Sequence, residues 1–229
     1  MRNKHVLSIS LIFKRATGAA VALALLGFSS SAAAQATSRQ CNAAGGQEEQ
    51  AGPACLLAHQ SVGTLNVESV YWNLDKHPSI EAAERNKAGN GSIVHAFGGV
   101  WLFTIGPLQP GAHTAQVGPI LVDKNTSYDA EFLKSTFSPG MTAPVHVHSG
   151  PEAFYAVSGD TCLETPDGVQ VGRGAGNSMV VRGGPPMLLM ALGKEPRKGF
   201  ALILHGASLP PTTLVHDWTP KGLCQAEMP

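Results

Sequence analysis

From residue 92 onward, apolar and polar side chains alternate in short runs broken by glycine and proline. The pattern predicts strands over 92–104, 114–122, 127–137, 144–148, 152–158, 161–164, 177–182, 187–192 and 199–205, separated by turns such as "GPLQPG", "SPG", "TPDG" and "GKEPRKG". Before them, "TLNVESVYW" (64–72) has the β-branched and aromatic alternation of a strand. Residues 77–89 carry the one helical signal. Pro78 sits near the start, acidic residues fill the first turns, Arg85 and Lys87 come late, and Gly89 is the stop. Many short strands and one helix predict an all-β sandwich or barrel, and a double-sheet jelly roll is a common way to protect its edges. "AFGGVWLFTIGP" (96–107) is apolar on both faces, as in a buried strand, with Trp101 and Phe103 on one face, packing in the core or lining a barrel cavity.

The first 36 residues stand apart. Arg2, Lys4, Lys14 and Arg15 precede an apolar run from Ala19 to Phe28, and small residues end at Ala34-Gln35-Ala36. That order is expected of a secretory leader cut after Ala36, and the run is too short for a membrane anchor. The chain has 16 basic and 16 acidic residues; with four basic ones in the leader, 12 remain against 16. With no basic block, a nucleic-acid surface is not expected, nor a membrane once the leader is gone. The expected organisation is a leader (1–36), an extension with a strand and a helix (37–90), a barrel (91–210) and a tail (211–229). Export makes Cys41, Cys55, Cys162 and Cys224 candidates for disulfides. Of the three pairings, Cys41 with Cys55 closes locally and leaves Cys162 to hold the tail at Cys224. Residues 37–54, rich in Ala, Gly and Gln, would be a loose segment clamped by the first bridge.

Candidate chemistry concentrates in "PGMTAPVHVHSGPEAFYAVSG" (139–159). On a strand, residues i and i+2 share a face, so His146 and His148 project together. The turn Ser149-Gly150-Pro151 can return Glu152 beside them. Two imidazoles and a carboxylate suit a divalent metal such as zinc, manganese or iron, and with open positions they have the form of the two-His-one-carboxylate triad.

Five residues at four set spacings, Gly140, His146, His148, Glu152 and Gly159, reproduce the first motif of the cupin superfamily, which this segment resembles. The resemblance implies a cupin-type double-stranded β-helix, a jelly-roll barrel with a short N-terminal extension and one helix. It also implies His146, His148 and Glu152 as metal ligands, the ion being Fe, Mn, Zn, Ni or Cu, and a possible homodimer. The second family motif is degenerate in "GNSMVVRGGPPMLLMA": Gly176 and Gly184 are in place, but Arg182, Met187 and Ala191 replace its proline, histidine and asparagine. A thioether is a soft ligand, so Met187 is read as a core residue. The metal would then keep three protein ligands, gain a fourth from His205 or His113, or be lost from a metal-free pocket.

His59, His77, His95 and His216 have no spaced partner. No nucleophile elbow, phosphate-cradling loop or dinucleotide fingerprint occurs. The expected function is an exported, metal-dependent cupin enzyme acting on a small organic substrate inside the barrel, with Glu152 as ligand or general base. Its chemistry would be that of a dioxygenase, or of a lyase or isomerase using the metal as a Lewis acid. The alternatives are a non-catalytic module binding a small molecule such as a sugar, and a storage or structural cupin.

Overall fold

A computed structural model describes residues 39–41, 52–111 and 113–229. The predicted leader and most of the predicted loose segment lie outside the described residues. The elements are β1 (Arg39–Gln40), β2 (Gly52–Leu65), β3 (Ser69–His77), α1 (Ile80–Asn86), β4 (Ser92–Ala96), β5 (Gly99–Gly106), β6 (Ala115–Leu121) and β7 (Thr126–Phe137). Then come β8 (His146–Val147), β9 (Glu152–Ser158), β10 (Asp160–Thr165), β11 (Gly168–Gly172), β12 (Ser178–Val181), β13 (Leu188–Leu192), β14 (Arg197–Gly206), β15 (Thr213–Leu214) and α2 (Leu223–Ala226).

The largest sheet has the order β1-β2-β7-β14-β9-β12. Both its faces are used, because alternation with period two sends successive side chains to opposite sides. Tyr128, Ala130 and Phe132 of β7, with Phe200, Leu202 and Leu204 of β14, enter a core shared with Trp72, Leu74, Trp101 and Phe103. Those last four belong to a second sheet, β4-β5-β3-β6, packed on the back. Trp101 and Phe103 thus pack in this core, each with its ring against that of Phe200. The opposite face carries Leu133, Ser135 and Phe137 of β7, Phe154 of β9 and Ala201 of β14, and forms one wall of a cavity. The small sheets β11-β10-β13 and β15-β8 supply further strands, giving the predicted double-stranded β-helix.

Several predicted boundaries move. The strand predicted at 92–104 is a hairpin, because Phe97 and Gly98 both adopt positive φ (52° and 66°) and turn β4 into β5. A phenylalanine in that region is uncommon, which hid the turn. The strand predicted at 64–72 is broken at 66–68 between β2 and β3. β11 is a strand the pattern missed, paired antiparallel to β10. The helix is confirmed as α1: the Ser79 hydroxyl accepts from the Ala82 N–H at 3.2 Å, with Glu81 in the first turn and Arg85 in the last.

Both predicted disulfides are present. Cys41–Cys55 ties β1's end to β2, and Cys162–Cys224 ties the tail to β10. The second bridge is seated in a small core with Met190 and Leu192. There the buried Glu164 carboxylate accepts the backbone N–H groups of Lys221 and Cys224. In the chain-entropy picture, cross-linking a loop stabilises more as the loop lengthens. The separations are 14 and 62 residues, which correspond to about 3 and about 4 kcal/mol. Denaturant unfolding of C41A/C55A and C162A/C224A should therefore show the larger loss for the second pair. Equal losses, or the reverse order, would contradict this account.

Candidate metal centre

β8 is only two residues long, held to β15 by the pairs Thr213↔Val147 and Leu214↔His146. Across the barrel mouth, His146 and Met187 exchange backbone hydrogen bonds in an isolated bridge. These contacts keep 146–148 extended, so the two histidines share a face as the spacing predicts. The turn after His148 is pinned by the Gly184 N–H donating to the His148 carbonyl and the Leu204 N–H donating to the Pro151 carbonyl, each at 2.9 Å. Glu152 then opens β9, paired with Ile203 of β14 and pointing to the cavity face. The motif's outer glycines, Gly140 and Gly159, both have positive φ (80° and 75°), where a side chain would be strained.

The structure brings His146, His148 and Glu152 together: one ligand atom from each lies within 4.8 Å of the others, and all three residues are buried. Each imidazole is oriented from behind. Nδ1 of His146 meets the Pro144 carbonyl at 2.6 Å, and Nδ1 of His148 meets the Pro211 carbonyl at 2.7 Å. A carbonyl only accepts, so both Nδ1 atoms carry the proton in the neutral rings, and both Nε2 lone pairs are left for the cluster. Nε2 of His148 lies 2.9 Å from Oε2 of Glu152. Neither atom has a hydrogen-bond partner of adequate geometry among the described residues. Buried polar atoms are normally satisfied, and a cation among them would engage both. The donor set therefore fits a divalent metal of borderline hardness.

The two histidines differ electrostatically. Burial and the neighbouring His148 hold the His146 pKa below the usual imidazole value, outweighing the charge of Glu152. Burial also works against the charged form of His148, but the charge and contact of Glu152, the Pro211 carbonyl and the charge of Glu131 together raise it. Of the two, His148 is the one whose protonated form its surroundings favour.

His146 and Glu152 open onto a cavity of about 730 Å³ whose walls are largely apolar, with Met187, Leu189 and Phe154 among them. Met187 is 1% exposed, part of a buried cluster with Phe154 and Leu189. Arg197 also lines the cavity: the composition of "GKEPRKG" predicts a turn, but β14 begins at this residue. Its Nε donates to Thr161 Oγ1 at 3.1 Å and its Nη1 to Ser135 Oγ at 2.9 Å, while Nη2 has no partner among the described residues. Burial lowers its pKa to about 10, against the charge of Glu152.

The two histidines considered as a fourth ligand lie elsewhere. His113 contacts the Asp75 carboxylate at 2.9 Å in the back sheet. His205 clusters with Asp129 and with His59, which therefore does have a spatial partner.

No family model and no curated protein matches the chain. It is similar to several solved structures. These include an oxalate oxidase (21% identity, 38% of this chain and 46% of that one, TM-score 0.33). A cupin-like protein from Thermotoga maritima matches at 14% identity, over 42% of this chain and 72% of that one, TM-score 0.37. The DMSP lyase DddQ from Ruegeria pomeroyi matches at 16% identity, over 38% and 43%, TM-score 0.33. The chain spans less than half the length of the oxidase and the lyase.

Substituting His146 or His148 by Ala should remove the equivalent of metal held by this cluster, as measured by elemental analysis of protein purified without chelator. Met187→His should add a fourth ligand and tighten binding. It should also cost the metal-free protein about 1–3 kcal/mol, because an imidazole enters an apolar cluster. Full metal stoichiometry in His148→Ala would place the ion elsewhere.

Metal binding requires neutral imidazoles, so a proton held on His148 must leave. Affinity should then fall about tenfold per pH unit below the raised His148 pKa. His146, whose pKa is lowered, should release no proton in that range. Calorimetry in buffers of different ionisation enthalpy should show proton release on metal binding that grows as the pH falls and approaches one proton per ion. No displaced proton, or two, would contradict the asymmetry.

Proposed function

We propose that this protein is an exported, metal-dependent cupin enzyme, oxygenase-like in chemistry, that acts on a small organic substrate inside the barrel. The observation that carries the reading is the buried His146–His148–Glu152 cluster, whose unpartnered donor atoms stand beside a cavity large enough for a small organic molecule. A bound metal would supply either redox chemistry with oxygen or Lewis-acid polarisation of a substrate oxygen. The carboxylate of Glu152 either completes the ligand set or takes a proton from the substrate, since one of its oxygens lies against His148 Nε2. The largely apolar walls would favour the apolar part of such a substrate. Arg197 adds a polar pole: a buried guanidinium with an unused donor favours a substrate bearing an anionic group such as a carboxylate.

Export is supported by the leader pattern and by two disulfides, which persist in oxidising compartments. Among the described residues no helix is long and apolar enough to cross a membrane.

The second reading is a binding module without turnover. It is favoured by Met187 in the position where the family motif places a histidine, since a weaker metal site leaves the cavity as the working feature.

Metal-replete protein should be tested against a panel of small carboxylic acids, with oxygen consumption and substrate loss followed separately. Turnover of at least one acid that disappears in His148→Ala supports the enzyme. Tight binding of an acid with no turnover under any metal supports the module. In either case Arg197→Met should weaken acid binding by about 10- to 100-fold, corresponding to loss of a charged hydrogen bond. Unchanged affinity would remove Arg197 from substrate recognition.

A further inference from the structure

Three neighbouring strands of the large sheet place a second set of donors together. Asp129 of β7 is directly paired with His205 of β14, so the two side chains leave the same face. His59 of β2 is paired with Glu131, two residues along from Asp129, and therefore shares that face as well. One ligand atom from each of His59, Asp129 and His205 lies within 4.8 Å of the others. None of the three belongs to the His146–His148–Glu152 cluster.

His205 shows what the group is arranged for. It is 5% exposed, and its Nδ1 faces the carbonyl oxygens of Gly206 and Leu209 at 3.1 and 3.0 Å. Those carbonyls fix the proton on Nδ1 and leave a lone pair on Nε2, as the proline carbonyls do for His146 and His148. Nε2 of His205 is buried and has no hydrogen-bond partner among the described residues. Nε2 of His59 stands 3.7 Å from Oδ2 of Asp129. That is beyond hydrogen-bond length, but close to the roughly 3.4 Å that separates two ligands sharing one tetrahedral ion at 2.0–2.2 Å each.

We propose that His59, Asp129 and His205 form a second metal site, taking a borderline divalent ion of the zinc class. The ion joins β2, β7 and β14. Because His59 is exposed while His205 is buried, the remaining coordination position faces solvent on the His59 side. The site shares no residue with the proposed reaction centre, although Ile203 is paired with both Glu131 and Glu152 on the same sheet.

The test is zinc titration of chelator-stripped full-length protein, read as stoichiometry by competition with a chromophoric chelator. Cobalt is the spectroscopic substitute. The His148→Ala variant, which has lost the first site, should still bind one equivalent. Adding His205→Gln or His59→Gln to it should weaken that equivalent by upward of about a hundredfold, more than the 10–100-fold cost of losing an outer partner. His59 is an exposed residue whose replacement leaves packing intact, so it decides the matter if the buried His205 variant does not fold. The cobalt absorption of His148→Ala should likewise change with His59→Gln. If His148→Ala binds no zinc, or if His148→Ala/His59→Gln binds it as tightly, the proposal is overturned. The stoichiometry of the unsubstituted protein reports on the first site separately.

Discussion

The architecture depends on the two-sided burial of β7, β14 and β9. A strand covered on both faces must send its odd and even residues into different environments, and these three strands do so in register. Phe132, Phe200 and Leu202 go to the back core, while Ser135, Phe154, Ala201 and Arg197 go to the cavity. A slip of one residue would bury Arg197 in the aromatic core and expose the aromatic set in the cavity. The cost of that exchange is what holds Glu152 beside Ile203 and Asp129 beside His205. The back sheet is thus more than an appendage. It turns a half-covered sheet into one with a single tolerable register.

On that fixed sheet, each donor is set by a backbone carbonyl behind it. His146, His148 and His205 are all oriented through Nδ1, with acceptors contributed by Pro144, by Pro211, and by Gly206 with Leu209. Two of these groups sit in the segment 206–212, which follows β14 and crosses toward the β15–β8 pair. One stretch of chain therefore orients a histidine in each cluster. Such outer contacts decide the tautomer and the ring angle, and hence which nitrogen is offered.

How much of this was legible in the sequence depended on distance along the chain. His146, His148 and Glu152 lie within seven residues, and their convergence needs only an extended pair and a turn, so local periodicity sufficed. The disulfides were legible for a similar reason: once Cys41 closes on Cys55, only Cys162 and Cys224 remain. The Asp129–His205 pair depends on a strand register joining residues far apart, and nothing local announces it. Arg197 was hidden by its neighbours. "GKEPRKG" has the composition of an exposed turn, yet the strand starts early and buries this arginine almost completely. The missed turn at Phe97-Gly98 shows the opposite error, an aromatic side chain in a backbone region that usually calls for glycine or asparagine.

The replacement at Met187 connects these threads. Its backbone bridges to His146, so a thioether stands at the position where the motif this chain resembles has an imidazole. The thioether is absorbed into the cluster of Phe154, Leu163, Met179 and Leu189, and the wall of the cavity there becomes continuous apolar surface. Arg197, held by Thr161 and Ser135, supplies charge to the same cavity. Burying a guanidinium whose Nη2 lacks a partner is costly, and an anion drawn to it would recover part of that cost. A ligand with an anionic head and an apolar body would therefore be oriented by the cavity itself, through Arg197 and Met187.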